Sequence, residues 1–320
     1  MDSSMVSSDR IFVGIDIAKA TFDVARLPQS QHHAFAYDAE GIERTVALLQ
    51  SWGTCLVVLE ATGGLERRLA AELVAAAIPV AIVNPRQVRD FARGLGLLAK
   101  TDAIDAGVLA RFAQVVQPVP SSKTSEKQAE LQELVTRRQQ LVGLRVMESN
   151  RQTTVMGQAA RRSIMKVLRT LDREIDAVDA AISRLIESSD DWKRKAEIID
   201  SVPGCSKITS HRILGNLPEL GNLNRAEIAS LAGLAPFNHD SGKFQGKRAI
   251  WGGRAAARCA LYMAALTARR CNAQIRRFAQ RLEAKGKTFK VVITACMRKL
   301  LVILNALVKH NVLWESQEIT

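Results

Sequence analysis

The chain has 320 residues, 47% of them hydrophobic, which suffices for two domains with buried cores. Lysine and arginine number 45 against 32 acids, which gives a formal net charge of +13 and a pI near 9.9. This surplus favours a polyanionic partner, above all nucleic acid, with a merely basic protein as the simpler alternative.

Cysteine usage and hydropathy exclude several classes of protein. The five cysteines are scattered without a Cys-x-x-Cys pair, which argues against a zinc site or a disulfide framework. Residues 1–10 are polar and lack the apolar core of a signal peptide. Arg298 and Lys299 interrupt the apolar stretch 291–308, which falls short of the ~20 apolar residues that a membrane span needs. We therefore expect a soluble cytoplasmic protein without a membrane partner.

The first part of the chain alternates between strand and helix patterns. Strands are predicted over 11–17, 21–27, 32–38, 54–60 and 79–83. Helices are predicted over 40–51, 64–77, 85–94 and 102–114. Three short strands followed by alternating strands and helices predict an α/β domain, a mixed sheet with helices on its faces.

A linker rich in proline and serine is predicted at 117–125, and long helices follow it. Apolar residues then recur at alternating steps of four and three, at Ile164, Leu168, Leu171, Ile175, Val178, Ile182 and Leu185. A preceding helix with Leu131, Leu134 and Leu141 is expected to pair with this seam as an antiparallel hairpin. A core-facing helix pair and an intermolecular coiled coil both fit the pattern. From about 197 to 310 the chain is predicted to be mainly helical.

Four carboxylates stand where a metal-dependent phosphodiester enzyme needs them. Asp16 lies within one apolar strand, Glu60 ends another, and Asp102 and Asp105 stand three apart at a helix start. Acids in apolar surroundings are costly unless their charge is compensated, and Mg²⁺ prefers oxygen ligands. A two-metal centre would stabilise both the attacking and the leaving oxygens of a phosphoryl displacement.

Two alternatives compete with the metal site. Acids are favoured at a helix start by the macrodipole, which by itself would explain Asp102 and Asp105. The run Gly14-Ile-Asp-Ile-Ala-Lys also suggests the first phosphate loop of actin-like ATPases, but no glycine-rich phosphate loop follows it. The apolar surroundings of Asp16 and Glu60 favour the metal.

Two segments of the carboxy-terminal half are typical of phosphate binding. Residues 197–214, with Gly204 in a Pro-Gly turn and Lys207 after it, resemble a helix-hairpin-helix, although a plain helix-turn-helix corner also fits. Residues 238–258 carry one hydroxyl, Ser241, among the cations Lys243, Lys247, Arg248, Arg254 and Arg258. Those cations suit a phosphate and the extra charge of its transition state. Taken from the residues alone, a phosphate-binding loop is the safer interpretation, and Ser241 as nucleophile the bolder one.

Short motifs in order along nearly the whole chain resemble one family. In the first half they are Gly14-Ile-Asp-Ile-Ala-Lys, Glu60-Ala-Thr-Gly, Asn84-Pro and Lys100-Thr-Asp-Ala-Ile-Asp-Ala. In the second half they are Val202-Pro-Gly, Leu231-Ala-Gly-Leu-Ala-Pro, Ser241-Gly, Gly252-Gly-Arg, Leu261-Tyr and Arg298-Lys-Leu. Together they resemble the DEDD transposases of the insertion-sequence one-ten (IS110) family, relatives of the Piv and MooV DNA invertases.

This resemblance implies a fold, a site and partners. It implies a RuvC-type, RNase H-like domain over 11–117, which follows a disordered segment over 1–10. In this domain the expected metal-binding tetrad is Asp16, Glu60, Asp102 and Asp105. The tetrad would bind Mg²⁺, or Mn²⁺ in its place. The resemblance also implies a linker and helical hairpin over 118–195 and a transposase domain over 196–320, with Ser241 as a covalent nucleophile. The expected partners are the DNA of element ends and target, a structured guide RNA, and further copies in a homodimer or homotetramer. The location that the resemblance implies is the bacterial type of cytoplasm, in association with the nucleoid.

Two other functions fit parts of the pattern. A RuvC-like nuclease would cut branched DNA with the tetrad alone and form no protein–DNA adduct. A non-catalytic nucleic-acid-binding protein would use the same acids structurally and would not depend on metal.

Overall fold

The computed structural model describes residues 10–97, 102–120, 125–237, 240–241, 244–246 and 248–315. For 102–103, 240–241 and 244–245 it describes the main chain. The chain forms two compact units, which divide between Thr124 and Ser125. The predicted disorder over 1–10 concerns residues that, apart from Arg10, lie outside the described ones.

A five-stranded mixed sheet forms the centre of the amino-terminal unit. In chain order its strands are β1 (Ile11–Ile17), β2 (Thr21–Leu27), β3 (Gln31–Ala36), β4 (Cys55–Glu60) and β5 (Val80–Val83). Their order in the sheet is β3-β2-β1-β4-β5. The first three strands are antiparallel neighbours, whereas β4 pairs parallel with β1 and β5 parallel with β4. The predicted mixed sheet is confirmed.

Four helices belong to this unit among the described residues: α1 (Ala39–Trp52), α2 (Glu66–Ala75), α3 (Pro85–Gly94) and α4 (Asp102–Val116). Side-chain caps fix where two of them begin. Asp38 accepts a hydrogen bond of 2.8 Å from the Gly41 amide ahead of α1. Asn84 accepts one of 2.9 Å from the Arg86 amide, with Pro85 as the first residue of α3. For each helix and strand of this unit, the predicted first and last residues lie within two residues of the observed ones.

Strand β1 is covered by helices on both faces, which explains its nearly continuous apolar run. Val13 and Ile15 belong to the core that includes residues of α1 and α2. Phe12 belongs to the opposite core, together with residues of α3 and α4. Because side chains alternate along a strand, Gly14 and Asp16 lie on the side of α4.

Helix α4 rests directly on β1 at Gly14. A Cβ atom at Gly14 would lie 2.2 Å from the carbonyl oxygen of Ala106 and 2.2 Å from the amide nitrogen of Ala110. Only a residue without a side chain allows the helix backbone to approach the strand this closely. The glycine therefore sets the height of α4 above the sheet.

The carboxy-terminal unit is mainly helical, as predicted. Its helices are α5 (Glu126–Thr154), α6 (Gln158–Glu187), α7 (Asp190–Ser201), α8 (Lys207–Asn216), α9 (Arg225–Leu231), α10 (Ala255–Cys271), α11 (Ala273–Ala284) and α12 (Phe289–His310). Between α9 and α10 run four two-residue strands, β6 (Pro236–Phe237), β7 (Asp240–Ser241), β8 (Phe244–Gln245) and β9 (Ala249–Ile250). One core joins residues of α5 and α6 to residues of α7 through α12.

Helix α12 is long and apolar enough to cross a membrane by length and composition alone. Half of its most apolar window is buried inside the unit, where Val292, Leu300 and Leu304 are fully enclosed. These contacts are those of a central core helix.

Helices α5 and α6 form an antiparallel hairpin in the register of a heptad repeat. Arg138 donates two hydrogen bonds to Asp179, at 2.5 and 2.9 Å. Seven residues further along α5, Arg145 pairs with Asp172, which lies seven residues back along α6. One more step of seven brings Gln152 to Met165, at 2.9 Å between nitrogen and sulfur. The apolar residues of α6 therefore belong to an intramolecular helix pair, which is one of the two arrangements that the sequence pattern allowed.

His211 of α8 is buried beside the base of this hairpin, with 4% of its surface exposed. Burial, and after it the positive charge of Lys207, lowers the pKa of His211 from 6.5 to about 4. Arg138 lowers the pKa further, while Asp179 and Glu187 oppose the shift. The folded unit therefore holds this imidazole neutral at physiological pH.

We predict that Gly14→Ala destabilises the amino-terminal unit by about 2 kcal/mol or more, because the new Cβ overlaps main-chain atoms of α4. The matched control is Gly107→Ala within α4, where an added Cβ meets no atom within 4 Å. Helix propensity should make that control neutral, or more stable by up to about 1 kcal/mol. Chemical denaturation measures both changes, and equal stability of the two variants would contradict the packing.

We predict that part of the stability of the carboxy-terminal unit is lost as pH falls from about 6.5 towards 4. The pKa of His211 is lower in the folded state than in the unfolded state, so protons bind the unfolded chain more tightly in that window. The loss amounts to at most about 3 kcal/mol. His211→Gln should flatten the dependence of the unfolding free energy on pH, whereas exposed His310→Gln should keep the wild-type slope. Parallel curves for wild type and His211→Gln would exclude this titration.

Candidate functional site

Asp16 and Glu60 occupy equivalent positions at the ends of neighbouring parallel strands. The last register pair of β1 and β4 is Ile15 with Leu59, and each acid is the next residue of its strand. Neighbouring strands lie about 4.8 Å apart. Leu56 and Val58 face the core of α3 and α4, so alternation directs Glu60 to the same side of the sheet as Asp16. Both acids are half-buried.

Helix α4 adds Asp105 to this side of the sheet. Asp105 is half-buried and directly precedes Ala106, whose carbonyl oxygen faces Gly14. Asp102 is the first residue of α4, one turn before Asp105, and its side chain lies outside the described part of the chain. Asp16 is two residues beyond Gly14, so Asp16 and Asp105 both lie next to the contact between β1 and α4.

The loop after Glu60 is held in shape by another acid, Glu66. The carboxylate of Glu66 accepts hydrogen bonds from the amides of Thr62, at 3.0 Å, and Gly64, at 2.9 Å. The Thr62 hydroxyl donates to the carbonyl oxygen of Glu60 at 3.2 Å. The Glu60-Ala-Thr-Gly motif therefore continues from the strand into a loop whose amides are satisfied locally.

The carboxylates of Asp16, Glu60 and Asp105 suit a hard divalent cation, since all of their donors are oxygens. Within the residues that the structure describes, no three His, Cys, Asp or Glu side chains already form a metal-binding cluster. The fourth predicted ligand, the carboxylate of Asp102, is not among those described. The tetrad as a metal site therefore stays a prediction, supported by the shared sheet face of Asp16 and Glu60.

A fifth carboxylate, Asp23, is not among the residues predicted for this site. Asp23 lies directly opposite Asp16 in the antiparallel register of β1 and β2. Its strand neighbour Ala25 packs against alanines of α4, so Asp23 also faces the side of α4. The Oδ1 atom of Asp23 is 2.7 Å from Nε2 of His32 on β3. The sequence signal for Asp23 was an acid within the mostly apolar strand β2. Only the register of β1 and β2 shows that this acid lies beside Asp16.

Ser241 lies in a small hairpin in the carboxy-terminal unit. It pairs with Phe244 at the end of β7, so only two residues separate the paired positions in sequence. Outside this hairpin, β6 and β9 pair antiparallel, with Pro236 opposite Ile250. Ser241 therefore belongs to a loop that extends from α9 to α10 through two short strand pairs. The structure describes the main chain of Ser241, and its role as nucleophile stays a prediction.

Glycines hold the two ends of this serine loop together. A Cβ at Gly233 would lie 2.1 Å from the carbonyl oxygen of Gly252, and one at Gly253 would lie 2.1 Å from the amide nitrogen of Gly233. All three glycines have φ values between 64° and 67°, which L side chains rarely adopt. The Arg254 amide also donates to the carbonyl oxygen of Leu231 at 2.9 Å. The motifs Leu231-Ala-Gly and Gly252-Gly-Arg are thus the two ends of one closed loop.

Two predicted phosphate-binding arginines stabilise the base of the loop. Arg254 donates to both carboxylate oxygens of Glu219, at 2.6 and 2.7 Å, and to the carbonyl oxygen of Asn216 at 2.9 Å. Arg258 donates to the carbonyl oxygens of Gly252 and, at 3.3 Å, of Ala232. These hydrogen bonds give both side chains a structural role. Contact of either arginine with a phosphate stays a prediction.

The remaining predicted nucleic-acid contacts are distributed over this unit. Arg248 is exposed on the serine loop, whereas Lys243 and Lys247 lie outside the described residues. Gly204, at φ 104°, forms the turn between α7 and α8, and a Cβ there would lie 2.5 Å from Cα of Ala268. This turn is thus pressed against α10. Lys207 is exposed as the first residue of α8, and phosphate binding by the turn stays a prediction.

Two family models match the chain. Residues 13–160 match a family described as a transposase with the DEDD signature of the IS110 group, and residues 196–280 match the transposase family IS116/IS110/IS902. The first match includes all four predicted metal ligands, and the second includes Ser241.

Whole proteins are similar as well. The chain is 30% identical to pilin gene-inverting proteins of Moraxella bovis and Moraxella lacunata over 312 residues, which cover 94% of this chain and 97% of theirs. It is 31% identical over 163 residues to an uncharacterized 42 kDa protein of insertion element IS900 from Mycobacterium paratuberculosis, covering 49% of this chain and 39% of that protein. With two matching domains in this order and a similarity that extends over nearly the whole chain, the protein belongs to the IS110 family of transposases.

Proposed function

We propose that this protein is the transposase or site-specific recombinase of an insertion element, which cuts and rejoins DNA through a covalent link to Ser241 and depends on Mg²⁺ held by Asp16, Glu60, Asp102 and Asp105. Membership of a transposase family makes it a DNA strand-exchange enzyme. The observation that carries the finer proposal is the pairing of Asp16 and Glu60 at the ends of adjacent parallel strands, beneath the helix that carries Asp105.

The fold of the amino-terminal unit supports this use of the acids. Its strand order β3-β2-β1-β4-β5, with one antiparallel half and helices on both faces, is the arrangement expected of a RuvC-type, RNase H-like domain. When bound, Mg²⁺, or Mn²⁺ in its place, would supply charge stabilisation for the scissile phosphate. The carboxylates would contribute orientation and negative charge sufficient to hold the cation.

The chemistry assigned to Ser241 is a pair of transesterifications. The serine hydroxyl oxygen attacks the phosphorus, the bond from phosphorus to one DNA strand breaks, and that strand leaves with a free hydroxyl. The proton lost by the serine balances the one gained by the leaving oxygen. A strand hydroxyl of the recombination partner then attacks the phosphoserine, which restores both the phosphodiester and the serine. No phosphodiester bond is lost overall, because each step exchanges one ester for another.

The family resemblance adds partners to this proposal. Ser241 and the acids belong to different units of the chain, so the hydroxyl of one copy is free to act with the metal site of another in a homodimer or homotetramer. A structured non-coding RNA that pairs with donor and target DNA is proposed as the guide. The Moraxella relatives are named as pilin gene-inverting proteins, and inversion of a gene supports DNA as the substrate here. Cytoplasmic location remains part of the same prediction.

The nucleophile is tested with Ser241→Ala, which we expect to abolish both strand exchange and the covalent protein–DNA adduct. Binding to an element-end duplex should weaken by about tenfold at most, because the hydroxyl contributes at most one hydrogen bond, of about 1 kcal/mol, to binding. The control is Ser230→Ala on α9, which should keep both activities. Adduct is measured as labelled DNA that stays with denatured protein. An adduct formed by Ser241→Ala, or cleavage by wild type that leaves only free ends, would exclude the serine mechanism.

The metal site is tested by stability rather than by activity. Mg²⁺ or Mn²⁺ at about a hundred times its dissociation constant should stabilise the wild-type amino-terminal unit by roughly 2.7 kcal/mol. Asp16→Asn and Glu60→Gln should each remove most of that stabilisation. Asp90→Asn, which alters an exposed acid paired with Arg93, should retain it. A metal-dependent stabilisation that survives in both site variants would show that the cation binds elsewhere.

A further inference from the structure

The positive charge of this chain is concentrated in one segment. Residues 254–310, which hold α10, α11 and α12, contain thirteen lysines and arginines but a single acid, Glu283. The whole chain has a formal net charge of +13. This segment by itself therefore accounts for a surplus nearly as large as that of the complete protein.

Internal ion pairs neutralise little of this charge. Glu283 pairs with Arg269, and Arg254 pairs with Glu219. Among the residues that the structure describes, no other lysine or arginine of 254–310 forms an ion pair. The remaining cations are unbalanced within the protein, so a polyanion would complement them.

The exposed side of α11 carries a row of these cations. Arg277 and Arg281 of α11 and Lys285, the C-cap residue directly after the helix, follow one another at intervals of four residues, and all three are exposed. Such positions share one face of a helix, with a rise of about 6 Å between successive members. Like charges at this spacing oppose helix formation, so the row weakens the isolated helix. A ligand that bridges the row would turn this repulsion into attraction.

A second helix brings another cation to the row. Lys299 of α12 and Arg281 of α11 both lie over the ring of Phe278, with Nζ 4.8 Å and the guanidinium carbon 5.5 Å from the ring centroid. Burial, and after it the charge of Arg281, lowers the pKa of Lys299. Two cations thus share one aromatic ring without a carboxylate between them among the described residues. Lys299 also belongs to the motif Arg298-Lys-Leu, for which the proposed chemistry has no role.

We infer that Arg277, Arg281, Lys285 and Lys299, here called the cationic row, bind the phosphate backbone of duplex DNA. The inference rests on the proposed action on DNA for the identity of the polyanion, and on the charges and contacts above for the surface. A membrane surface is a poorer fit, since the apolar residues Phe278 and Leu282 of α11 pack against the core of the unit. Contact with phosphates positions a duplex without reading its sequence.

The double variant Arg281→Gln with Lys299→Gln tests the row. Binding to a duplex of unrelated sequence should weaken by about tenfold or more at low salt, and equally for an element-end duplex. The slope of log K against log salt concentration should fall by about 1.8, because two phosphate contacts are lost at about 0.9 each. The control removes the same charge from α7 through Lys193→Gln with Lys195→Gln, and should keep the wild-type affinity and slope. A wild-type slope in the row variant would overturn the inference.

Labelling of lysines in the unmodified protein tests the same surface without a variant. Duplex DNA should protect Lys299 from an amine-reactive ester and leave exposed Lys193 reactive. Protection of Lys299 by duplex RNA but not by duplex DNA would overturn the assignment to DNA, as would equal labelling with and without DNA. The Ser241→Ala protein should show the same protection as wild type. Protection of Lys299 without any serine–DNA adduct would refute the proposed function and leave the DNA-binding row standing.

Discussion

The close contact between α4 and β1 at Gly14 is the constraint on which the candidate metal site depends. Because Gly14 has no side chain, main-chain atoms of α4 lie where a Cβ would otherwise stand. The helix therefore rests on the sheet backbone, and Asp105 is held close to the strand that carries Asp16. Any larger residue would raise the helix and move Asp105 away from the sheet. The glycine of the Gly14-Ile-Asp motif thus has a packing role that is distinct from phosphate binding.

A comparable use of glycine holds the second candidate site. The backbones at Gly233 and Gly253 meet, and Arg254 and Arg258 bond to main-chain oxygens beside them. The serine loop therefore begins and ends at one fixed point above the core. Local residues alone favoured phosphate binding by both arginines, yet the partner of Arg254 is Glu219, 35 residues away. A row of exposed or half-buried cations without ion-pair partners among the described residues lies instead on α11 and α12.

The amino-terminal fold was predictable because its local signals agree with one another. The apolar run of β1, the cap Asp38 and the pair Asn84-Pro85 mark elements within two residues of their observed ends. The position of Asp23 opposite Asp16 was not predictable, since alternation gives a face but no register. The two-residue strands around Ser241 were missed because they are too short for any periodic pattern. The order of the motifs along the chain indicated a family, whereas no single motif predicted the geometry around it.

The proposed mechanism requires that the acids of the amino-terminal unit form one binding site for divalent cations beside β1 and β4. Anomalous scattering from Mn²⁺ in crystals of the protein with element-end DNA would locate that site directly. We expect a peak within coordination distance of the carboxylate oxygens of both Asp16 and Glu60, with Asp105 or Asp102 completing the ligands. Ordered Mn²⁺ bound only at other acids, or carboxylates of Asp16 and Glu60 turned away from each other in the occupied complex, would contradict the central claim.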